Sequence, residues 1–180
     1  DTLALKFEAE DPRQKSSIID HYIDDVGVTS NEFMAFITRV ATPYDFSQAQ
    51  KDRIFDTAST KYDDTRIITF LNYFKESAYI PVVKKWFAKS DKRGKFLYES
   101  SMIEFGDKEI ADQWLTTLRE YSKANKTVPM LISQYFPVIC RKFPNRKYCD
   151  CVIDFLIDHQ NQYFVIKDYT GNYEYYDVVY

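Results

Sequence analysis

The sequence predicts a mainly α-helical protein in which antiparallel helix pairs stack on one another and a β-hairpin closes the C-terminus. Three observations predict it. Apolar residues recur at helical spacing through most of the 180-residue chain, so each segment has one face to bury. Proline, glycine and short polar residues punctuate the segments where helices start and stop. The connections are short, which forces neighbouring helices to lie antiparallel.

Residues 1–15 contain Asp11-Pro12 and little periodicity, and read as an extended lead-in. A helical body is expected over residues 16–161 and a tyrosine-rich tail over 162–180. Ser16 or Ser17 caps a helix carrying Ile18, Ile19, Tyr22, Ile23 and Val26, closed by Gly27. Thr29 or Ser30 opens the next, with Phe33, Phe36, Ile37 and Val40 on one side and Thr42-Pro43 at its end. Asp45 or Ser47 starts a more polar helix with Ala49, Ile54, Phe55 and Ala58, expected on the surface. Asp63 and Asp64 cap a stronger one, whose inward residues are Ile67, Ile68, Leu71 and Phe74.

Pro81 then sits just inside a helix start, where its missing N–H costs nothing. Ile80, Val83, Trp86 and Phe87 make the apolar side of this helix, and Lys84, Lys85 and Lys89 the opposite one. After a break at Ser90-Asp91, Phe96, Leu97, Ile103 and Phe105 mark another helix, in which Ser100 and Ser101 allow close approach of a neighbour. Gly106 supplies the left-handed residue that ends it. Asp107 caps the following helix, whose buried stripe is Ile110, Trp114, Leu118 and Tyr121. Pro129 opens a further helix that Pro137 kinks or splits. Pro144-Asn145 turns the chain into a last helix with Val152, Ile153, Leu156 and Ile157. In the tail, Tyr163–Asp168 and Tyr173–Tyr180 flank Thr170-Gly171-Asn172, a β-rich composition around a turn that reads as a hairpin. A lone hairpin is marginal, so this one must pack on the helices or pair with something else.

Gly27 and Gly106 each end one helix and precede another, 79 residues apart, and half of that lies within the roughly 40–47 residue period of helical-pair arrays. Pro43 and Pro81 are 38 apart, while Pro129 at 48 further fits poorly. Tyr79-Ile80-Pro81, Trp86-Phe87 and above all Glu104-Phe105-Gly106-Asp107-Lys108 make the chain resemble the HEAT-like α-α superhelical repeat family. The resemblance covers residues 16–160, with its good matches in the central forty. It implies a short curved stack of helix pairs whose usual role is binding, and it brings no active-site residues.

Composition narrows the function classes. Apolar residues make up 45% and aromatic residues 17%, with only four glycines, which excludes a disordered chain. A chain of this length buries roughly 70% of the surface its unfolded form exposes. No run approaches the ~20 apolar residues that cross a bilayer. The start at Asp1 reflects either a removed signal peptide or a shortened chain; the expectation is export, periplasmic or extracellular, and otherwise the cytoplasm. Net charge is −3, distributed as −6 over residues 1–64, +8 over 65–147 and −5 over 148–180. A basic middle between acidic ends can steer an acidic partner. Solvated charged faces on individual helices explain the same pattern.

The chemistry-bearing residues form no strong motif. Cys140, Cys149, Cys151 and His159 follow C-x8-C-x-C-x7-H, far from the close pairs that zinc wants. In an exported protein Cys140 and Cys149 can close a disulfide across the Pro144 turn, leaving Cys151 over. A small buried thiol is the simpler reading of each. A nucleophilic cysteine needs a histidine or a helix N-terminus, and only His21 and His159 exist. His21, Asp24 and Asp25 share a helical face, which suits a metal less well than a solvated acidic surface. Asp63-Asp64 reads as a cap before it reads as a catalytic pair. Neither G-x-x-x-x-G-K nor any G-x-G occurs, so phosphate loops are absent. No cofactor or metal is expected.

Lys84, Lys85, Lys89, Lys92, Arg93 and Lys95 place six basic residues in twelve positions, with Trp86, Phe87 and Phe96 among them. Helical periodicity sends those aromatics to the core rather than to a stacking platform, which argues against nucleic acid. The expectation is a non-enzymatic helical-repeat protein that binds another macromolecule, a protein, through this basic centre on a concave surface. The alternative is an exported enzyme, such as a hydrolase, with a carboxylate or cysteine site between helices and tail. In a third reading the tail itself adds a strand to a partner sheet.

Overall fold

The computed structural model describes residues 2–91, 94–123, 138–158, 164–167 and 173–176. These residues are mainly α-helical, as the sequence predicts, and among them no helix is long and apolar enough to cross a membrane. The chain divides into two compact units, Asp1–Lys95 and Phe96–Tyr180. That boundary falls inside the body the sequence reading treated as continuous.

The first unit opens with α1 (Thr2–Ala9) and α2 (Pro12–His21), which corrects the expected extended lead-in. Asp11-Pro12 is a helix start: Asp11 Oδ1 accepts the Arg13 and Gln14 N–H groups at 2.8 and 3.0 Å, and Gln14 Oε1 accepts the Asp11 N–H in return. Pro12 takes the first helical position. The cap therefore lies at Asp11 rather than at Ser16 or Ser17. In α1, Phe7 is buried edge-on against Phe36, with ring centroids 5.4 Å apart. One aromatic anchor holds a segment that has no clear periodicity of its own.

α2 runs into a π-helical turn, Tyr22–Gly27, ended by Gly27 at φ +90°. Ser30 Oγ accepts the Phe33 N–H at 2.9 Å and caps α3 (Asn31–Arg39). Ser47 caps α4 (Gln48–Ser59) in a reciprocal box with Gln50. The expectation of α4 as a surface helix is corrected. Gln50, Ile54, Phe55 and Ala58 are buried, and α4 packs against both α5 (Arg66–Phe74) and α6 (Ile80–Lys89). Its buried Gln50 is satisfied because Nε2 donates to Ser16 O, Ser16 Oγ and Asp20 Oδ1, each at 3.2 Å.

The second unit comprises α7 (Lys95–Glu104), α8 (Lys108–Lys123), α9 (described over 138–142) and α10 (Arg146–Asp158). The α7–α8 junction forms where glycine and aspartate predict it. Gly106 adopts φ +88°, its N–H reaches Ile103 O at 2.9 Å, and the Asp107 N–H reaches Met102 O at 2.8 Å. Asp107 Oδ1 then accepts the Ile110 N–H at 3.2 Å. α10 packs on α8, and Ile103, Ala111, Trp114, Leu115, Ile139, Tyr148 and Cys151 close the core. The predicted helix start at Pro129 lies outside the described residues. Backbone segments Phe164–Lys167 and Tyr173–Tyr176 pair antiparallel, Phe164 opposite Tyr176.

Candidate functional site

The basic centre is carried by α6. Val83 and Trp86 are buried, and the opposite side presents Lys84, Lys85 and Lys89 to solvent. This division follows from 3.6 residues per turn once two positions are fixed in the core. Trp86 is fixed twice, by burial and by the 2.8 Å hydrogen bond its Nε1–H donates to Lys61 O. Lys95, at the first position of α7, is also exposed, while Lys92 and Arg93 lie outside the described residues. Four of the six predicted basic residues are thus placed, all exposed, and three share one helix face.

The loop before α5 lies beside the end of α6. Lys89 Nζ sits over the Tyr62 ring, 5.7 Å from its centroid. Gly94, at φ +69°, comes so close to Thr65 that a Cβ there would lie 2.7 Å from Thr65 Cγ2. An open polar cleft of about 550 Å³ is lined by Thr29, Lys61, Asp63, Asp64, Thr65 and Arg66. Arg66 acts as a clasp in its wall. Nη1 donates to Asp64 Oδ2 at 2.7 Å and to Thr29 O, and Nη2 to Asn31 Oδ1 at 2.9 Å.

Asp64 also accepts the Arg66 N–H at 3.0 Å, and the N-cap position itself belongs to Thr65. Asp64 is thereby committed to holding the loop, while Asp63 beside it stands exposed. A cleft so open and polar suits charged groups on a partner's surface better than an enclosed apolar ligand. Sequence reasoning missed Tyr62, Thr65 and Gly94 as neighbours of the basic helix. Their proximity is a tertiary fact, and Gly94 alone signalled it by being one of four glycines.

The remaining candidates separate in space. His21 Nδ1 pairs with Asp25 Oδ2 at 2.7 Å on the surface, whereas Asp24 pairs with Arg53, as does Asp20 at 2.7 Å. Among the described residues no group of three or more His, Cys, Asp or Glu side chains could hold a metal. Cys140 and Cys149 are partly buried free thiols, and Cys151 is a buried thiol. Burial first, and then the neighbouring Cys149, push the Cys140 thiol up to about 11. His159 lies outside the described residues. Trp86 is buried and Phe96 leans on Trp114, centroids 5.9 Å apart.

Two tyrosine–aspartate contacts brace the helices. The Tyr79 hydroxyl donates to Asp52 Oδ1 at 2.6 Å, and Gln48 Nε2 reaches both. The Tyr148 hydroxyl donates to Asp112 Oδ1 at 2.9 Å beside Lys147 Nζ at 2.7 Å. Burial first, then the aspartate, raises both phenols above their ordinary value, Tyr148 to about 12. These phenols hold their protons and serve as hydrogen-bond donors.

Compared with known proteins, the chain matches no family model, no curated protein and no solved structure.

Proposed function

We propose that this chain is a non-enzymatic helical protein that binds another protein through the lysine face of α6 and the adjoining loop at residues 61–66. The observation that carries the reading is the placement of Lys84, Lys85 and Lys89 on one exposed face of a helix anchored by Val83 and Trp86. A rigid, desolvated anchor under a row of cations presents charge at fixed spacing, which favours an acidic polypeptide surface. The cleft beside it adds Lys61 and Thr65 as further polar contacts.

Packing of α4 on α5, together with the Gly106–Asp107 junction, supports a HEAT-like arrangement of helix pairs. Pairing of residues 164–167 with 173–176 supports a C-terminal hairpin. Binding rather than catalysis is the role this arrangement favours.

The test compares wild type with a Lys84→Glu/Lys85→Glu/Lys89→Glu variant as bait, followed by affinity measurement for each partner captured. The expected loss is at least about tenfold, deepening at low salt where the charges are least screened. Unchanged affinity for every partner places the contact elsewhere. A partner that is nucleic acid rather than protein overturns the partner class.

A further inference from the structure

We infer that the partner segment carries a basic residue flanked by acidic ones, and that Asp63 selects it over purely acidic chains. This rests on the reading of the α6 lysine face as a protein-binding surface, and adds the chemistry of what binds there. The cleft beside α6 holds four charged side chains, Lys61, Asp63, Asp64 and Arg66, and two of them cancel. Arg66 Nη1 donates to Asp64 Oδ2 at 2.7 Å, and the Arg66 N–H reaches Asp64 Oδ1 at 3.0 Å. Nη1 also serves Thr29 O, and Nη2 is taken by Asn31 Oδ1 at 2.9 Å. A guanidinium and a carboxylate matched in this way have little charge left for a visitor.

Lys61 and Asp63 differ from that pair. Both are exposed, and among the described residues neither forms an ion pair. They flank Tyr62, so a cation and an anion stand close together at one lip of the cleft. That lip is fixed to α6. The Trp86 Nε1–H donates to Lys61 O at 2.8 Å, and Lys89 Nζ lies 5.7 Å from the centroid of the Tyr62 ring. The ring itself remains 40% exposed. Lys85, about one helical turn before Lys89, is exposed and also lacks an ion pair among the described residues.

The surface thus presents three open cations, Lys61, Lys85 and Lys89, and one open anion, Asp63, about a half-exposed aromatic ring. A uniformly acidic segment meets the lysines favourably and is repelled at Asp63. A segment with a lysine or arginine at that point pairs with Asp63, while its acidic neighbours meet Lys61 and the α6 lysines. The Tyr62 ring supplies apolar contact at the centre. Asp63 is therefore the repulsive element that separates one class of acidic partner from another.

The probe is a phage-displayed random peptide library, selected on the folded full chain and counter-selected on a Lys85→Glu/Lys89→Glu variant. Recovered peptides should share a lysine or arginine set between acidic residues. A synthetic peptide of that sequence should bind Asp63→Asn about threefold more weakly than wild type, the scale of an exposed charge pair. Replacing the basic residue of the peptide by glutamine should remove that difference, because the two changes delete the same contact. Recovery of purely acidic peptides, or tighter binding by Asp63→Asn, overturns the inference and leaves the lysine face standing. Failure to enrich any peptide over the counter-selected variant overturns the lysine-face reading, and the inference with it.

Discussion

The two units solve the same problem, a tyrosine hydroxyl buried at a helix contact, with different second partners. In the first unit Asp52 receives Tyr79 and the neutral Gln48; in the second Asp112 receives Tyr148 and the cation Lys147. Both carboxylates are held below their ordinary value, Asp52 chiefly by Tyr79 and Asp112 chiefly by Lys147. The first brace is therefore a hydrogen-bond network that salt leaves alone. The second is partly an ion pair and answers to salt and pH. The lesson is that helices joined by similar contacts need not share a response to conditions.

Four substitutions and one titration sharpen or break this comparison. The chain carries one tryptophan in each unit, Trp86 and Trp114, so Trp114→Phe and Trp86→Phe backgrounds let fluorescence follow each unit separately. Tyr148→Ala removes a ring that is 0% exposed and should cost the second unit about 3–5 kcal/mol, read from urea unfolding of Trp114. Equal loss of the Trp86 transition would show that the units unfold together.

Gly94→Ala should destabilise the first unit by more than about 1 kcal/mol, because a side chain is disfavoured at positive φ and would strike Thr65. A neutral result would show that this loop gives way easily. Tyr148→Phe keeps the ring and removes only the hydroxyl, for a smaller loss of about 1 kcal/mol. Lys147→Met should cost less than about 0.5 kcal/mol, since its ammonium is 54% exposed. Its diagnostic effect is on salt, because the variant should lose the salt sensitivity that wild-type Trp114 unfolding shows. Persistence of that sensitivity would break the comparison.

The pH dependence has a fixed sign. Asp52 and Asp112 are depressed from 3.8 in the fold, so their contribution is present above about pH 4 and lost as pH falls through the lowered folded values. Tyr148 is raised from 10 to about 12, so its contribution is present below pH 10 and lost as pH rises towards 12. Acid unfolding should therefore weaken both units, and Tyr148→Phe should flatten the alkaline limb of the second.

Helix starts and stops were legible wherever the signal was local. Ser30, Ser47, Pro81 and the Gly106-Asp107 pair do in the fold what their chemistry predicts, because a cap or a left-handed residue acts within four positions of itself. The exposed face of α6 was equally legible, since periodicity fixes which side faces away once Val83 and Trp86 are buried. Elements whose partners are distant in sequence were not. α1 looked aperiodic because Phe7 reaches Phe36, and α4 looked superficial because its buried amide answers to Ser16 and Asp20. The cleft joins residues from Thr29 to Arg66 through one guanidinium, which no spacing announces.

By itself the sequence determined the helical class, most of the helix boundaries, and the lysines that α6 turns outward. These depend on dihedral preference, capping and a period of 3.6, all of which act over a few residues. Only the tertiary structure decided that the chain breaks into two units at Lys95, that α4 is core, and that Asp24 leaves His21 for Arg53. Each of those turns on which surfaces meet after collapse, where burial and hydrogen-bond satisfaction across tens of residues outweigh local preference.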